Sequence, residues 1–303
     1  MKKVLSKLFG EKEEKAVEPV AAAPKPAAKP PPSAKKIDFS GKRQVYAVAV
    51  TFPEYKELGP LLSVEGHNGF IRDFKRSIDN AFHAYAHAVE ISDTAVATIA
   101  VDASAQQPPN VLLGGVGELY NEIRLWVGTF GRTGLPPMKY GIGVTKGEAT
   151  ITPPPPPPQG QPPPAVPGPT KIEGRVFTEA AEIAERVCSR FDVRLGVVGE
   201  IIRASTESVQ WFDVDDVIVK SATDPKPVRL YSRIIERVDP ADIQMFRAAR
   251  KAYANQQWDE AAAKFDRLTV VPHFKHLATL YAKRVDTLRV RPKDPNWDGV
   301  YRK

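Results

Sequence analysis

From residue 44 to residue 235, segments with the hydrophobic spacing of a helix alternate with short apolar runs typical of strands. Apolar residues recur at steps of three and four in Asn68 to Val89, Leu119 to Phe130 and Phe177 to Phe191, which predicts three helices. Short apolar or β-branched runs predict strands at 45–51, 94–101, 139–151, 193–198, 209–212, 217–220 and 228–235. Helices and strands alternate in the first part of this section, and several strands follow one another in the last part. This order predicts an α+β domain, a ferredoxin-like sheet covered by helices.

Residues 241–290 have a different pattern. Their apolar side chains are spaced like a helical hairpin, a third helix is predicted at 278–288, and Tyr253 to Phe265 resembles one tetratricopeptide unit. A single such unit cannot bury its own apolar face, so it must pack on the preceding domain or on a partner. We expect four side chains to make this contact: Phe246, Tyr253, Trp258 and Phe265. The chain therefore divides into a linker at 1–42, a domain at 43–236 and a helical extension at 237–303.

Proline marks two segments that cannot form a packed core. The chain has 29 prolines, and they concentrate near 24–32 and at 153–169. Pro153 to Pro158 are six consecutive residues without a backbone donor, which excludes them from a sheet ladder. We interpret 153–169 as an exposed loop inserted in the domain. Docking of this tract in an aromatic groove of a partner is the alternative.

Charge and cysteine content narrow the class of protein. The net charge is +7, but residues 1–42 carry ten lysines against five acids, and 281–303 carry seven basic residues against three acids. The section between is slightly acidic, so we expect no nucleic acid partner. Cys188 is the only cysteine, so no intrachain disulfide is possible, and a small buried residue is expected there.

We expect a cytoplasmic protein, since no run of apolar residues has the length of a membrane span or a signal peptide. Residues 1–9 put Val4, Leu5, Leu8 and Phe9 beside three lysines. Such a face could touch an anionic membrane. Because it is barely two turns long, we favour a frayed basic terminus.

Six short stretches resemble, in order, the class III nucleotide cyclase domain with the C-terminal extension of many bacterial adenylate cyclases. They begin with Ala49-Val-Thr-Phe-Pro-Glu-Tyr, Ile91-Ser-Asp-Thr-Ala-Val-Ala and Ile142-Gly-Val-Thr-Lys-Gly-Glu, and continue with Gly174 to Ile183, Val197-Val-Gly-Glu and Pro227-Val-Arg-Leu-Tyr. The ending Asn296-Trp-Asp-Gly-Val matches as well. The resemblance implies the class III cyclase fold followed by a C-terminal helical hairpin.

The resemblance also implies metal chemistry that this sequence only half supplies. The family closes a nucleotide 3′-hydroxyl onto its own α-phosphate with two metal ions, Mg or Mn, held by two aspartates. The first aspartate falls on Thr51, a neutral hydroxyl, and the second on Asp93. Glu54 is the only nearby acid that could substitute. We therefore expect no resident cofactor, and Mg or Mn only if the domain is active.

At the remaining functional positions of the family, this sequence differs further from the family pattern. The base-selecting lysine falls on Val89 and its acidic or hydroxyl partner near Lys171, while the ribose-orienting asparagine falls on Thr178. The transition-state arginine falls on Glu182, which reverses a charge where negative charge would develop. Arg186, one helical turn further, could reach back.

These departures predict a catalytically impaired cyclase homologue that acts as a regulatory or scaffold subunit. An active adenylate cyclase that makes cyclic AMP and a nucleotide-binding sensor without turnover are the alternatives. The family forms head-to-tail dimers, which implies a homodimer or a heterodimer with an active cyclase.

Two other clusters of candidate ligands have plain explanations. His83 and His87 stand four apart on the first predicted helix, one turn after Asp79, which is a metal-ligand spacing without a third partner. We interpret them as a partly exposed helix face. His273 and His276 are looser still.

The acidic cluster at Asp213, Asp215 and Asp216 resembles a paired-acid site at first sight. The predicted strands end before it and resume after it. We therefore expect solvated acids in a connecting turn.

Overall fold

The computed structural model describes residues 39–85, 87–103, 108–133, 135–155, 170–206, 211–233 and 238–302. The strands are β1 (Gly41–Thr51), β2 (His87–Ile91), β3 (Ala97–Asp102), β4 (Gly141–Thr152), β5 (Lys171–Glu173), β6 (Leu195–Val198), β7 (Trp211–Ile218) and β8 (Pro227–Arg233). The helices are α1 (Tyr55–Leu58), α2 (Val64–Phe82), α3 (Pro109–Val127), α4 (Phe130–Thr133), α5 (Arg175–Ser189), α6 (Gly199–Arg203), α7 (Pro240–Ala254), α8 (Trp258–Leu268) and α9 (Lys275–Leu288).

The described strands form one mixed sheet in the order β2-β3-β1-β4-β6-β8-β7, and β5 pairs with the end of β4. β1 runs antiparallel to both of its neighbours, β3 and β4, and β6 is parallel to β4. Every residue of β1 from Val45 to Thr51 is buried, because apolar clusters cover both faces of the sheet. The predicted α+β class, a sheet covered by helices, is confirmed.

Helix α5 lies against β4 at very short range. A Cβ added at Gly141 would lie 2.0 Å from the Ala184 carbonyl oxygen, and one added at Gly143 would lie 2.1 Å from that of Ala180. Only glycine allows this approach of helix and strand. Gly141 and Gly143, the second of them in the resemblance motif that begins at Ile142, thus fix the position of α5 and of the candidate residues that α5 carries.

Several predicted boundaries were wrong. The first long helix ends at Phe82, and the last residues assigned to it, from His87 to Val89, belong to β2 instead. The strand predicted at 94–101 begins later, at Ala97, after a turn in which Ala95 has a φ of 55°. β1 begins at Gly41, inside the section assigned to the linker.

Helices α7, α8 and α9 pack together and against β7. Phe246 is fully buried, lies 5.6 Å from the Phe212 ring of β7, and stacks on Phe274 at 4.7 Å. Tyr253 and Trp258 are buried too, but their ring contacts are to each other and to Tyr281 and Trp297 within the extension. The extension therefore does pack on the domain, with Phe246 as the residue of the four that touches a β7 ring. The tetratricopeptide likeness stays a prediction.

Most of the proline tract, residues 156–169, and the basic segment at 1–38 lie outside the described residues. In the part of the chain that the structure does describe, no helix is long and apolar enough to cross a membrane.

Candidate functional site

A cavity of about 420 Å³ lies where β1, the β2–β3 turn, α5 and the turn after β7 meet. Thr51, Thr178 and Glu182, three positions singled out by the sequence comparison, line it together. Thr94 and Ser221 add hydroxyl groups to the lining from the two turns. The structure therefore gathers Thr51, Thr178 and Glu182 at one place, although they are up to 131 positions apart in the chain.

Thr51 ends β1 and is 7% exposed. Its Oγ1 is buried and forms no hydrogen bond with any described residue. A neutral hydroxyl at this position offers a hard cation one weak ligand in place of a carboxylate.

Glu182 is held by four hydrogen bonds. The backbone N–H groups of Lys220 and Ser221 donate to its two oxygens at 3.0 and 2.9 Å, and the Ser221 hydroxyl donates at 2.8 Å. Arg186 Nη2 donates to Glu182 Oε1 at 2.6 Å. Burial alone would raise the pKa of this carboxyl, but these donors outweigh it and lower the pKa. Glu182 is thus a fixed anion that joins α5 to the turn after β7.

Arg186, which could reach back from one helical turn further, is engaged in two contacts of its own. Its Nη1 donates to the Ile218 carbonyl at 2.9 Å, while its Nη2 bonds Glu182. Both terminal nitrogens of the guanidinium are therefore engaged, one at the end of β7 and the other on Glu182, which holds the turn after β7.

The two candidate metal carboxylates do not join the cavity lining. Asp93 is exposed in the β2–β3 turn, one residue before Thr94. Glu54 accepts a hydrogen bond from the Lys139 backbone N–H at 3.1 Å. Among the described residues, no group of three histidine, cysteine, aspartate or glutamate side chains is arranged to hold a metal ion.

The candidate base-selecting residues lie at another part of the sheet. Val89 is half-buried on β2 opposite Ile99, and Lys171 begins β5 with its ammonium 2.6 Å from Glu173. Neither of the two lines the cavity with Thr51. A purine-selecting pair is therefore not assembled there by this chain alone.

The predicted His83 and His87 face was wrong, because α2 ends at Phe82. His83 follows the helix end and its Nδ1 bonds the Asn80 carbonyl, while His87 lies on β2 with its Nδ1 on the Tyr85 carbonyl. His276 bonds the Arg190 carbonyl through Nε2 at 3.0 Å. These contacts explain the histidines as local structural residues.

The interpretation of the acidic cluster as a solvated turn was wrong as well. Asp213, Asp215 and Asp216 lie within one continuous strand, β7, with a register shift between the first two, and Asp215 is 2% exposed. Asp216 bonds Arg229 at 2.9 Å and Arg250 at 3.0 Å.

Besides Arg229 of β8, the acidic cluster has two partners from the helical extension, and these had not been recognised in the sequence. Arg250 of α7 and Arg284 of α9 are 3% and 2% exposed. Each is an isolated arginine on an otherwise apolar helix face, at a position where the helical spacing predicts a core residue. That mismatch was the signal for a buried ion pair.

No protein-family model matches the sequence, and no curated protein matches it. Among solved structures, it is similar to the adenylyl cyclase CyaB from P. aeruginosa, with 13% identity and a TM-score of 0.48 over 66% of this chain and 98% of that one. The guanylyl cyclase Cya2 is similar with 11% identity and a TM-score of 0.46, over 68% of this chain and 98% of that one. An adenylate/guanylate cyclase/hydrolase from Silicibacter pomeroyi is similar with 15% identity and a TM-score of 0.43, over 65% of this chain and 99% of that one. The likeness is one of fold only, so the chemistry must be argued from the residues of the cavity.

Proposed function

We propose that this chain is a cyclase-like domain that does not turn over nucleotides and that serves as a regulatory or scaffold subunit. The observation that carries the proposal is the state of Glu182. Its carboxylate stands where the resemblance calls for a cation, and four donors hold it there as an anion. Negative charge that develops on a phosphoryl group would be repelled at this position.

The rest of the cavity supports the same proposal. Its charged lining residues are Lys56, Glu182 and Glu185, so its own balance is negative. Thr51 supplies a hydroxyl in place of one metal carboxylate, and a single remaining aspartate, Asp93, gives a divalent cation too few anionic ligands. A triphosphate with its metal would thus meet repulsion and a weak metal site together.

Binding of a nucleotide without turnover is the second candidate. The cavity volume of about 420 Å³ favours it, because small-molecule sites commonly measure about 300–1,000 Å³. Calorimetric titration with ATP and GTP, with and without Mn²⁺, distinguishes a scaffold from a nucleotide-binding sensor. The scaffold proposal expects no saturable heat, whereas binding that is lost in a Thr178→Trp variant, which fills the cavity, would support the sensor.

The regulatory role requires association with another chain. The resemblance implies dimers whose sites lie between chains, so a subunit without its own catalytic groups could still complete or block a partner's site. We expect weak self-association in sedimentation over a wide concentration range. We also expect that purified protein changes the rate of a competent cyclase from the same cell. A strict monomer without effect on that enzyme would contradict the regulatory role.

A further inference from the structure

A second cavity, of about 270 Å³, lies at the seam between the sheet and the helical extension. Helix α3 contributes Tyr120, the loop before β6 contributes Arg194, the end of β8 contributes Arg233, and the loop between α8 and α9 contributes His273. It shares no residue with the cavity around Thr51. Nothing proposed above for the function of the chain makes use of it.

The two arginines in this cavity have no acidic partners. Neither guanidinium is within ion-pair distance of any carboxylate among the described residues. The acid in the lining, Asp192, is paired with Lys139 at 3.0 Å. The cavity is therefore a region of net positive charge, whereas Arg250, buried elsewhere in the fold, lies within ion-pair distance of Asp213 and Asp216.

Arg194 is half-buried and has one buried hydrogen-bond donor. It packs over the Tyr140 ring with its guanidinium carbon 5.3 Å from the ring centre, and its Nη1 is buried without a hydrogen-bond partner among the described residues. A buried donor left unpaired costs roughly 1–3 kcal/mol, more when the group is charged. Because Arg194 lines the cavity, the cavity borders a guanidinium whose hydrogen-bonding capacity the described residues do not fully use.

Arg233 is placed by its neighbours. It ends β8, and its Nη1 occupies the space above Gly117 of α3, where a Cβ would lie only 2.2 Å away. The glycine thus leaves room for a guanidinium against the helix backbone. His273 closes the other side, with its ring edge-on to Phe212 at 5.7 Å and to Phe274 at 5.0 Å.

We propose that this cavity binds a small oxyanion of the phosphate type, held between Arg194 and Arg233. Planar guanidinium groups bind tetrahedral oxyanions through paired N–H donors. The volume lies below the roughly 300–1,000 Å³ typical of sites for larger molecules, which favours the free ion over the phosphate group of a nucleotide. The bound ion joins the sheet to the loop of the helical extension, because both sides line the cavity.

The test uses the full chain and inorganic phosphate. Thermal unfolding is followed as phosphate is added, with sodium chloride at matched ionic strength as the reference, and binding is confirmed by ³¹P line broadening. The expected result is a saturable rise in Tm with phosphate alone. Arg194→Gln and Arg233→Gln each weaken the apparent affinity by roughly 10- to 100-fold, since each removes charged hydrogen bonds.

Arg267→Gln is the matched control, because Arg267 is exposed on α8 and away from the cavity. It must bind phosphate as the unchanged chain does. If a glutamine variant fails to fold, Arg194→Lys and Arg233→Lys keep the charge and lose the paired geometry, and they should weaken binding too. Equal stabilisation by chloride, equal loss in Arg267→Gln, or tighter binding of AMP than of phosphate would overturn the proposal.

Discussion

Arg284 and Asp215 form a buried ion pair, with Arg284 Nη1 2.9 Å from Asp215 Oδ2. The arginine belongs to α9 and the aspartate to β7, so the pair joins the last helix to an edge of the sheet. Tyr281 of the same helix donates to Asp215 Oδ1 at 2.7 Å and to the Val214 carbonyl at 2.9 Å. The ion pair and the Tyr281 hydrogen bond offset part of the cost of removing these charges from water.

Removal of one partner of this pair should destabilise the fold strongly. Asp215→Asn leaves Arg284 buried without a counter-charge, and we expect a loss of about 3–5 kcal/mol in the free energy of unfolding. Urea denaturation followed by circular dichroism measures it. Asp286→Asn is the matched control, since Asp286 pairs with Arg289 on the exposed side of α9 and should cost about 1 kcal/mol or less. Equal losses in the two variants would show that burial of the pair does not matter.

The aromatic contact between the extension and β7 should also be measurable. Phe246→Ala removes a fully buried ring from between Phe212 and Phe274, and we expect a cost of about 3–5 kcal/mol. Val270→Ala, at a side chain 81% exposed, should change stability by about 0.5 kcal/mol or less. A small effect of Phe246→Ala would mean that the helices fold independently of the sheet.

Truncation after Val238 tests the same contact from the other side. The shortened chain exposes Phe212 and leaves Asp215 and Asp216 without Arg250 and Arg284. We expect aggregation or loss of soluble protein, because an exposed apolar patch beside unpaired buried acids is unstable in water. Light scattering of the purified product measures it. A truncated chain as stable and monodisperse as the full one would identify the extension as an independent appendage.

Glu182 should make the stability depend on pH in the acid range. Its pKa is lowered in the folded chain, so its contribution is fully present above the ordinary glutamate value of 4.5 and is lost as pH falls through the lower folded value. Glu182→Gln removes this dependence and is less stable than the unchanged chain at neutral pH. Denaturation between about pH 6 and pH 3 measures the free energy of unfolding of both proteins. The values for the unchanged chain and for Glu182→Gln should converge as the pH falls.

Glu185→Gln, an exposed neighbour on α5, is the control for this pH dependence. It should keep the pH dependence of the unchanged chain. Parallel curves for the unchanged chain and Glu182→Gln would contradict the assigned role of the Glu182 carboxylate.

The sequence predicted the elements whose pattern is periodic. α5 was expected at 177–191 and lies at Arg175–Ser189, and the expected strand at 139–151 is β4, because one amphipathic stripe or one apolar run determines each of them. Cys188 was expected to be buried and is 1% exposed; burial raises its pKa to about 11. Of the positions that the resemblance singles out, Thr51, Thr178 and Glu182 line the first cavity. Asp93, Val89 and Lys171 do not line it.

The polar core could not be predicted in the same way. Asp215 and Asp216 look like turn residues in sequence, since nothing local shows that Arg250 and Arg284 lie opposite them. The end of α2 at Phe82 was missed because the apolar spacing continues through Val89, whose burial comes from the sheet instead. In both cases a contact distant in the chain decides the local structure.

A turnover assay tests the central claim most directly. Purified full-length protein is incubated with ATP or GTP and Mn²⁺, the ion that best tolerates a poor site, and cyclic product is quantified beside a competent cyclase. The account predicts no product above background, since the Glu182 carboxylate and the Thr51 hydroxyl replace two charged groups, and one such contact alone is worth about 10²–10³ in rate. Turnover at a rate comparable with that of the competent cyclase, abolished by Asp93→Asn, would contradict it.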